Sequence, residues 1–162
     1  GEDGATVFLD GFALAEWLRD SHPQDFARLA RCAVPFTFTD SAGRRYAARS
    51  PVLRTAADGA LTGLRCNHRS LGAVDFDAAE TALWYEAYLT FMLAADAPER
   101  QLSVVLRPGD IAIFDNERIL HGRRPFIAAA ERLLKGCYAD RDALRATLAR
   151  LDQACDGSSR SR

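Results

Sequence analysis

The sequence predicts an α+β domain, with antiparallel β-structure forming the frame and helices added to it. Three observations carry that class. Short apolar or alternating segments recur with turn residues between them. Two or three helical periods are present, but they do not alternate with strands in a βαβ rhythm. Nearly half of the 162 residues (48%) are apolar, enough to bury one core. Residues 1–155 read as one domain, and the Gly/Ser/Arg-rich stretch 156–162 reads as a disordered tail.

The elements follow in order. Ala5–Leu9 is a continuous apolar run, a buried strand, punctuated by Asp10 and Gly11. Phe12, Ala15 and Leu18, with Leu14 and Trp17, sit at helical spacing, so 12–20 is an amphipathic helix. Ser21-His22-Pro23 stops it, and Pro23 opens a second helix through Leu29. Val34, Phe36 and Phe38 alternate with smaller residues, a strand returning through Asp40–Gly43 as a hairpin over 44–48. Pro51–Thr55 and Leu61–Cys66 form a second pair around Ala57-Asp58-Gly59. Residues 77–94 are the clearest helix, with Asp77 and Glu80 as a capping pair and Trp84, Tyr85 and Tyr88 as core aromatics. Residues 101–107 alternate as a strand, and Arg107-Pro108-Gly109-Asp110 is a tight turn needing positive φ at glycine. Further strands are expected at Ile111–Phe114 and Leu133–Tyr138. A closing helix is expected over Asp140–Leu151.

Composition removes several function classes. A net charge of −1 and a pI near 6.3 argue against nucleic-acid or membrane-surface binding, which need a basic surplus. Lys135 is the only lysine; arginine supplies the other positive charge and suits bidentate carboxylate binding. Cys32, Cys66, Cys137 and Cys155 lie far apart with no C-x-x-C pair, which predicts neither a zinc site nor a secreted disulfide scaffold. They are expected to be idle thiols in a reducing cytoplasm. No apolar run is long enough to span a membrane.

The chemistry concentrates between Arg107 and Phe126, where Asp115, Asn116, Arg118 and His121 follow one another closely. Alone, His121 reads either as a structural histidine or as a metal ligand or general base. Apolar Ile119 and Leu120 precede it, and Gly122 allows close backbone approach. Arg132 follows one short hairpin later. It reads equally as a surface charge beside Glu131 or as the partner of a dicarboxylate that chelates a metal at its other end. Asp115 and Asn116 suit the fixing of a strand end, Arg123 and Arg124 either line a pocket or solvate the loop, and Asp140 and Asp142 suit a helix cap.

These residues carry a resemblance. Gly109-Asp110, Phe114-Asp115-Asn116, Arg118, Leu120-His121-Gly122-Arg123, then Arg132 and Gly136-Cys137-Tyr138-Ala139-Asp140, resemble the C-terminal signature of γ-butyrobetaine and trimethyllysine hydroxylases. These are Fe(II)/2-oxoglutarate dioxygenases of the broader taurine dioxygenase-like family. Leu9-Asp10-Gly11-Phe12, Leu64–Ser70 and Trp84-Tyr85-x-Ala87-Tyr88 extend the likeness to roughly residues 4–151.

The resemblance implies a double-stranded β-helix, or jelly roll, with outer helices. It implies that His121 is an iron ligand and that Arg132 pairs with the far carboxylate of 2-oxoglutarate. Tyr138 would belong to an aromatic cage for a trimethylammonium group. Asn67, aligned across a one-residue gap, would lie near the substrate carboxylate. The reaction implied is hydroxylation of a small molecule at an unactivated carbon, with succinate and CO2 released; a homodimer is expected by the same analogy.

One departure bears on that picture. The family's other iron ligands come from a His-x-Asp motif, and the facial triad needs two histidines and a carboxylate. Here the residues two after His22, His68 and His121 are Gln24, Ser70 and Arg123. The expectation is a C-terminal part of a longer jelly-roll chain whose N-terminal strands and His-x-Asp motif precede Gly1. A partner chain that completes the site, or an inactive relative, are the competing explanations. Without those strands an open sheet edge and exposed apolar faces are expected. The alternative function is a binding module for a carboxylate or quaternary amine, without turnover or metal.

Overall fold

The computed structural model describes residues 4–125 and 133–159, with side chains described to residue 153. It divides into two units, Gly1–Ile127 and Ala128–Arg162. The first unit is ordered as β1 (Thr6–Asp10), α1 (Gly11–Ser21), α2 (Pro23–Arg31), β2 (Val34–Thr39), β3 (Arg45–Ser50), β4 (Leu53–Thr55), β5 (Leu61–Leu64), α3 (Ala78–Ala95), β6 (Leu102–Val104) and β7 (Ile119–Arg123), with a 3-10 turn at Pro98–Arg100 before β6. The second unit carries α4 (Arg141–Ser159).

Polar punctuation sets the helix ends. Asp10 caps α1, its carboxylate accepting from the amides of Phe12 at 3.0 Å and Ala13 at 3.3 Å. His22 ends α1, because the residue before proline is driven out of the helical region, and Pro23 then opens α2. Asp77 caps α3 by accepting from the Glu80 amide at 2.8 Å. The Glu80 side chain turns away from that cap and joins α3 to α2, accepting from Arg28 Nε at 3.1 Å and from the Cys32 thiol at 3.4 Å. Hydrogen bonds from Cys32 and then Arg28 hold the Glu80 carboxyl below its usual range.

One core joins these helices to the hairpins. Leu14, Leu18, Leu29, Val34, Phe36, Val52, Leu53, Trp84 and Phe91 are fully enclosed. Each aliphatic or aromatic side chain taken from water in this way contributes about 1.5–3 kcal/mol. Trp84, Ala87, Phe91 and Ala95 form the inward stripe of α3. Tyr88 stacks on Trp84 with ring centroids 5.0 Å apart, which places both in the packing, whereas Tyr85 lies exposed. Tyr85, Leu89 and Leu93 make a second apolar stripe on α3, open to solvent. No described helix is long and apolar enough to cross a membrane.

Both expected hairpins are present. β2 pairs with β3 from Val34↔Ser50 to Thr39↔Arg45, around a turn in which Asp40 accepts from the amides of Ala42 and Arg44. β4 pairs with β5, Leu53 opposite Leu64. The third sheet has the order β6-β1-β7, both neighbours antiparallel to β1. Its strands are far apart in sequence, so its cohesion depends on long-range pairing.

Several expectations are corrected. The described residues form three small antiparallel sheets and no closed barrel. Closure needs a partner for the outer edges of both β6 and β7, and no described strand supplies one. Ile111–Phe114 is irregular, with Ile111 83% and Ile113 92% exposed, because apolar alternation makes a strand only where a partner ladder exists. Leu133–Tyr138 is likewise without strand structure. The strand expected over 101–107 is confined to Leu102–Val104. In the second unit Asp140 caps the closing helix through the Ala143 amide at 2.9 Å, and α4 runs to Ser159, into the stretch read as a tail.

The start of α1 has no room for a side chain. A Cβ on Gly11 would lie 2.7 Å from the Arg118 carbonyl oxygen and 2.9 Å from Leu64 Cδ1. The Gly11 amide donates to that same carbonyl at 2.9 Å, so the two backbones cannot separate without losing the bond. Gly11→Ala is expected to cost about 1–3 kcal/mol of stability, as overpacking does; a urea midpoint equal to the parent's would contradict this contact.

Candidate functional site

The residues of interest sit on and around the three-stranded sheet. Successive side chains of a strand face opposite sides, and directly paired residues face the same side. Leu9 pairs with Leu120, and both belong to or pack on the core. The adjacent row therefore faces the other way. In it, Phe8 pairs with His121 on one side and with Leu102 on the other. Phe114 closes against this row, its ring 5.3 Å from Phe8 and 4.8 Å from His121. Leu102 remains 63% exposed, so the face is apolar and largely uncovered.

His121 is thus an exposed imidazole on an apolar sheet face, backed by two aromatic rings. Among the described residues neither ring nitrogen has a hydrogen-bond partner. Gly122 pairs with Val7 and a Cβ there would meet no described atom, so the close approach expected at this glycine is not what it provides. Arg123 and Arg124 tie β7 to its neighbours. Arg123 Nε donates to the Gly4 carbonyl, and Arg124 donates to the Gln101 side chain at 2.8 Å.

The turn ahead of β7 is heavily bonded. The Asp115 carbonyl accepts from the amides of Arg118 at 3.1 Å and Ile119 at 2.8 Å, and its carboxylate accepts from the Glu117 amide at 2.9 Å. Asp115 thus fixes the strand end, as its position predicts. The Arg118 guanidinium meets the Asp10 carboxylate through Nε at 3.1 Å and Nη2 at 2.5 Å, and lies 5.4 Å over the Phe12 ring. The Glu117 carbonyl accepts from the Leu64 amide at 2.7 Å, and its carboxylate accepts from Arg54 at 2.5 Å. No reading of separate segments reveals these pairs. The signal was the presence of Asp10 and Arg118 in two motif-like stretches, but sequence alone does not say that they touch.

The other expected site residues are placed as follows. Asn67 lies in the exposed turn after β5, where its Oδ1 accepts from the Arg69 amide at 3.0 Å and its carbonyl accepts from Ser70 and Leu71. That leaves the Asn67 amide nitrogen as a donor for a carboxylate. Tyr138 belongs to the second unit and is 88% exposed. Arg132 lies outside the described residues. Beside Asn67, the Cys66 thiol is 3.5 Å from the Tyr88 hydroxyl and 3.6 Å from the Met92 sulfur. Burial pushes both the Cys66 thiol and the Tyr88 phenol upward, so neither ionises near neutrality and neither supplies a nucleophile.

Comparison with known proteins bears on this arrangement. The profile of the taurine catabolism dioxygenase TauD, TfdA family matches residues 1–138. The chain belongs to the TauD/TfdA family. It is 32% identical over 142 residues to the gamma-butyrobetaine dioxygenase of Pseudomonas sp. strain AK-1, covering 87% of this chain and 37% of that protein. It is 31% identical over 149 residues to human mitochondrial trimethyllysine dioxygenase, covering 88% and 34%. Human gamma-butyrobetaine dioxygenase is 28% identical over 155 residues, covering 93% and 40%. The chain therefore spans little more than a third of the length of these relatives.

A TauD/TfdA dioxygenase needs several ligands to hold a metal. His121 fits one of them, since among the described residues neither nitrogen has a partner and the side chain is exposed on the face of β7 opposite the core. Among the described residues no three of His, Cys, Asp and Glu gather in a way that could hold a metal ion. The described chain thus offers one candidate ligand and not a complete set.

The Asp10 carboxyl is held below the usual carboxylate range, first by the hydrogen bond from Arg118; burial opposes this and the Ala13 and Phe12 amides add to it. A carboxyl depressed in the fold contributes stability that is fully present above its unfolded value of about 4 and is lost as pH falls through the lower folded value. Asp10→Asn keeps an oxygen for the helix cap and removes the ion pair. The stability gap between parent and Asp10→Asn is expected to stay constant from about pH 7 to 5 and to shrink below about pH 4. Urea unfolding across that range checks it; a gap that widens in acid would contradict the pairing.

Proposed function

We propose that this chain is part of an Fe(II)- and 2-oxoglutarate-dependent dioxygenase that hydroxylates a small trimethylammonium compound. The carrying observation is His121, an exposed imidazole without a hydrogen-bond partner among the described residues, on the uncovered face of β7 and inside a family-type Leu-His-Gly-Arg segment. In this reading the β6-β1-β7 sheet is one portion of a jelly roll. The remaining iron ligands come from outside the described residues, on the same polypeptide or on a partner. When bound, iron and 2-oxoglutarate would, with O2, supply the chemistry that converts C–H into C–OH, one oxygen atom of O2 going to the product and the other to succinate as CO2 leaves.

The chain's own residues then divide the work of binding. His121 holds one metal position. Arg132 pairs with the far carboxylate of 2-oxoglutarate, for which a planar guanidinium fork is suited. The Asn67 amide nitrogen donates to a substrate carboxylate, and the Tyr138 ring faces a quaternary ammonium. The trimethylammonium class is supported by the names of relatives, which act on gamma-butyrobetaine or trimethyllysine. The apolar row of Phe8, Phe114 and Leu102 lines one side of the metal position.

A second reading is favoured by one observation, the absence of a complete ligand set among the described residues. In it the domain binds a carboxylate or quaternary amine without turnover. Metal dependence separates the two. The dioxygenase reading predicts Fe(II)-dependent conversion of 2-oxoglutarate to succinate by the chain together with the segment or partner that carries the remaining iron ligands. It predicts that His121→Ala reduces that rate beyond the roughly 10–100-fold cost of losing an outer-shell partner. Succinate formation that is absent, or unaffected by His121→Ala, would sink it. Arg132→Ala is expected to raise the apparent KM for 2-oxoglutarate about 10–100-fold, the worth of a charged hydrogen-bonded pair. An unchanged KM would remove Arg132 from the site.

A further inference from the structure

The Asp115–Arg118 turn has more anchors than a connecting loop needs. It receives a backbone bond from Gly11 at the start of α1 and another from Leu64 at the end of β5. Two ion pairs flank these bonds, Arg118 with Asp10 and Glu117 with Arg54. Arg54 lies flat across Gly63, where an added Cβ would sit 2.1 Å from its Nη2. The turn is therefore fixed to both the β1–α1 junction and the β4–β5 hairpin, elements from two different sheets. Ile119, the first residue of β7, follows directly, and His121 is two residues further on. Ile119 pairs with Asp10, the same residue that grips Arg118. Asp10 thus holds the register of β7 through the backbone and its entry angle through the carboxylate.

We propose that the Asp10–Arg118 pair, with Gly11 beneath it, is the positioning device for His121: it sets where the imidazole stands on the sheet and so the affinity of the site for a divalent metal. This rests on the reading of His121 as a metal ligand. Its physical basis is the lever arm. A slip of one residue in β7 would carry His121 to the opposite face of the sheet. A bidentate Arg–carboxylate pair fixes both distance and plane, which a lysine cannot do. The Asp10–Arg118 and Arg54–Glu117 pairs are partly exposed, so their direct effect on global stability is small. Their effect is on the placement of the turn they share.

The test uses the chain together with the segment or partner that carries the remaining ligands, in four forms, parent, Asp10→Asn, Arg118→Ala and Arg118→Lys, with His121→Ala as the assignment control. The first readout is the imidazole proton–carbon NMR correlation of His121, which carries a ring-current shift from Phe114 because the two rings are 4.8 Å apart. The second is the affinity for Co(II), read by visible absorption. The proposal expects the His121 resonance of Asp10→Asn and Arg118→Ala to move toward that of an unstructured histidine, with thermal midpoints close to the parent's. Arg118→Lys is expected to move part of the way. Co(II) affinity is expected to fall about 10–100-fold in Asp10→Asn, as for an outer-shell partner. An unmoved His121 resonance in both Asp10→Asn and Arg118→Ala would overturn the proposal. So would a shift seen only in proportion to global unfolding. If Arg118→Ala fails to fold, Asp10→Asn decides, because its side-chain oxygen still caps α1. Co(II) binding that is absent from the parent, or equal in parent and His121→Ala, would overturn the ligand reading while the NMR readout still judges the clamp.

Discussion

The contact between the start of α1 and the turn before β7 is the constraint on which the first unit depends. There the Gly11 amide donates to the Arg118 carbonyl, while the Arg118 guanidinium returns to the Asp10 carboxylate. Segments more than a hundred residues apart are held at van der Waals distance, so everything between them must fold as an excursion from one point. α1, α2 and both hairpins leave from that point, and α3 closes over them with Trp84 and Phe91. Local order elsewhere follows from caps and turns. This junction alone decides how the two ends of the excursion meet.

The consequence for chemistry is a division of the central sheet into two unlike faces. One face, through Leu9 and Leu120, is sealed by the core. The other presents Leu102, Phe8 and His121 in a row, with Phe114 the only ring lying against them among the described residues. A row of large apolar residues left open is costly in water unless it serves binding. In the proposed reading the polar imidazole in its midst, without a hydrogen-bond partner among the described residues, gives that face its chemical use. The second apolar stripe of α3, at Tyr85, Leu89 and Leu93, has no comparable polar residue on it and carries no such reading.

Much of this was legible in the sequence, for reasons that can be stated residue by residue. Helix ends were visible because Asp10, Asp77 and Asp140 are N-cap residues and Pro23 is a helix opener, all of which act locally. Hairpins were visible because the turns at Gly43 and Gly59 need positive φ, and both glycines have it. Ile111–Phe114 and Leu133–Tyr138 misled for one reason. Alternation shows that a segment can lie in a sheet, and cannot show that a neighbour is there to receive it. His121 was singled out by its motif, and the structure places it on β7, in the row paired with Phe8. Arg118 was overlooked as a partner because ion pairs across the fold leave no trace in spacing. Gly11 was read as punctuation, and its larger role is the absence of a side chain against Arg118 and Leu64.

The central claim is the proposal that His121 is one ligand of an iron site that binds 2-oxoglutarate. The most direct measurement is an anaerobic titration with Fe(II) followed by 2-oxoglutarate, made on the chain together with the segment or partner that carries the remaining iron ligands and watched by visible absorption. Chelation of the metal by the keto acid produces a charge-transfer band without any turnover, so substrate identity does not enter. The account predicts a saturable band in the parent protein and its loss in His121→Ala. No band in the parent, or an equal band in His121→Ala, would contradict it.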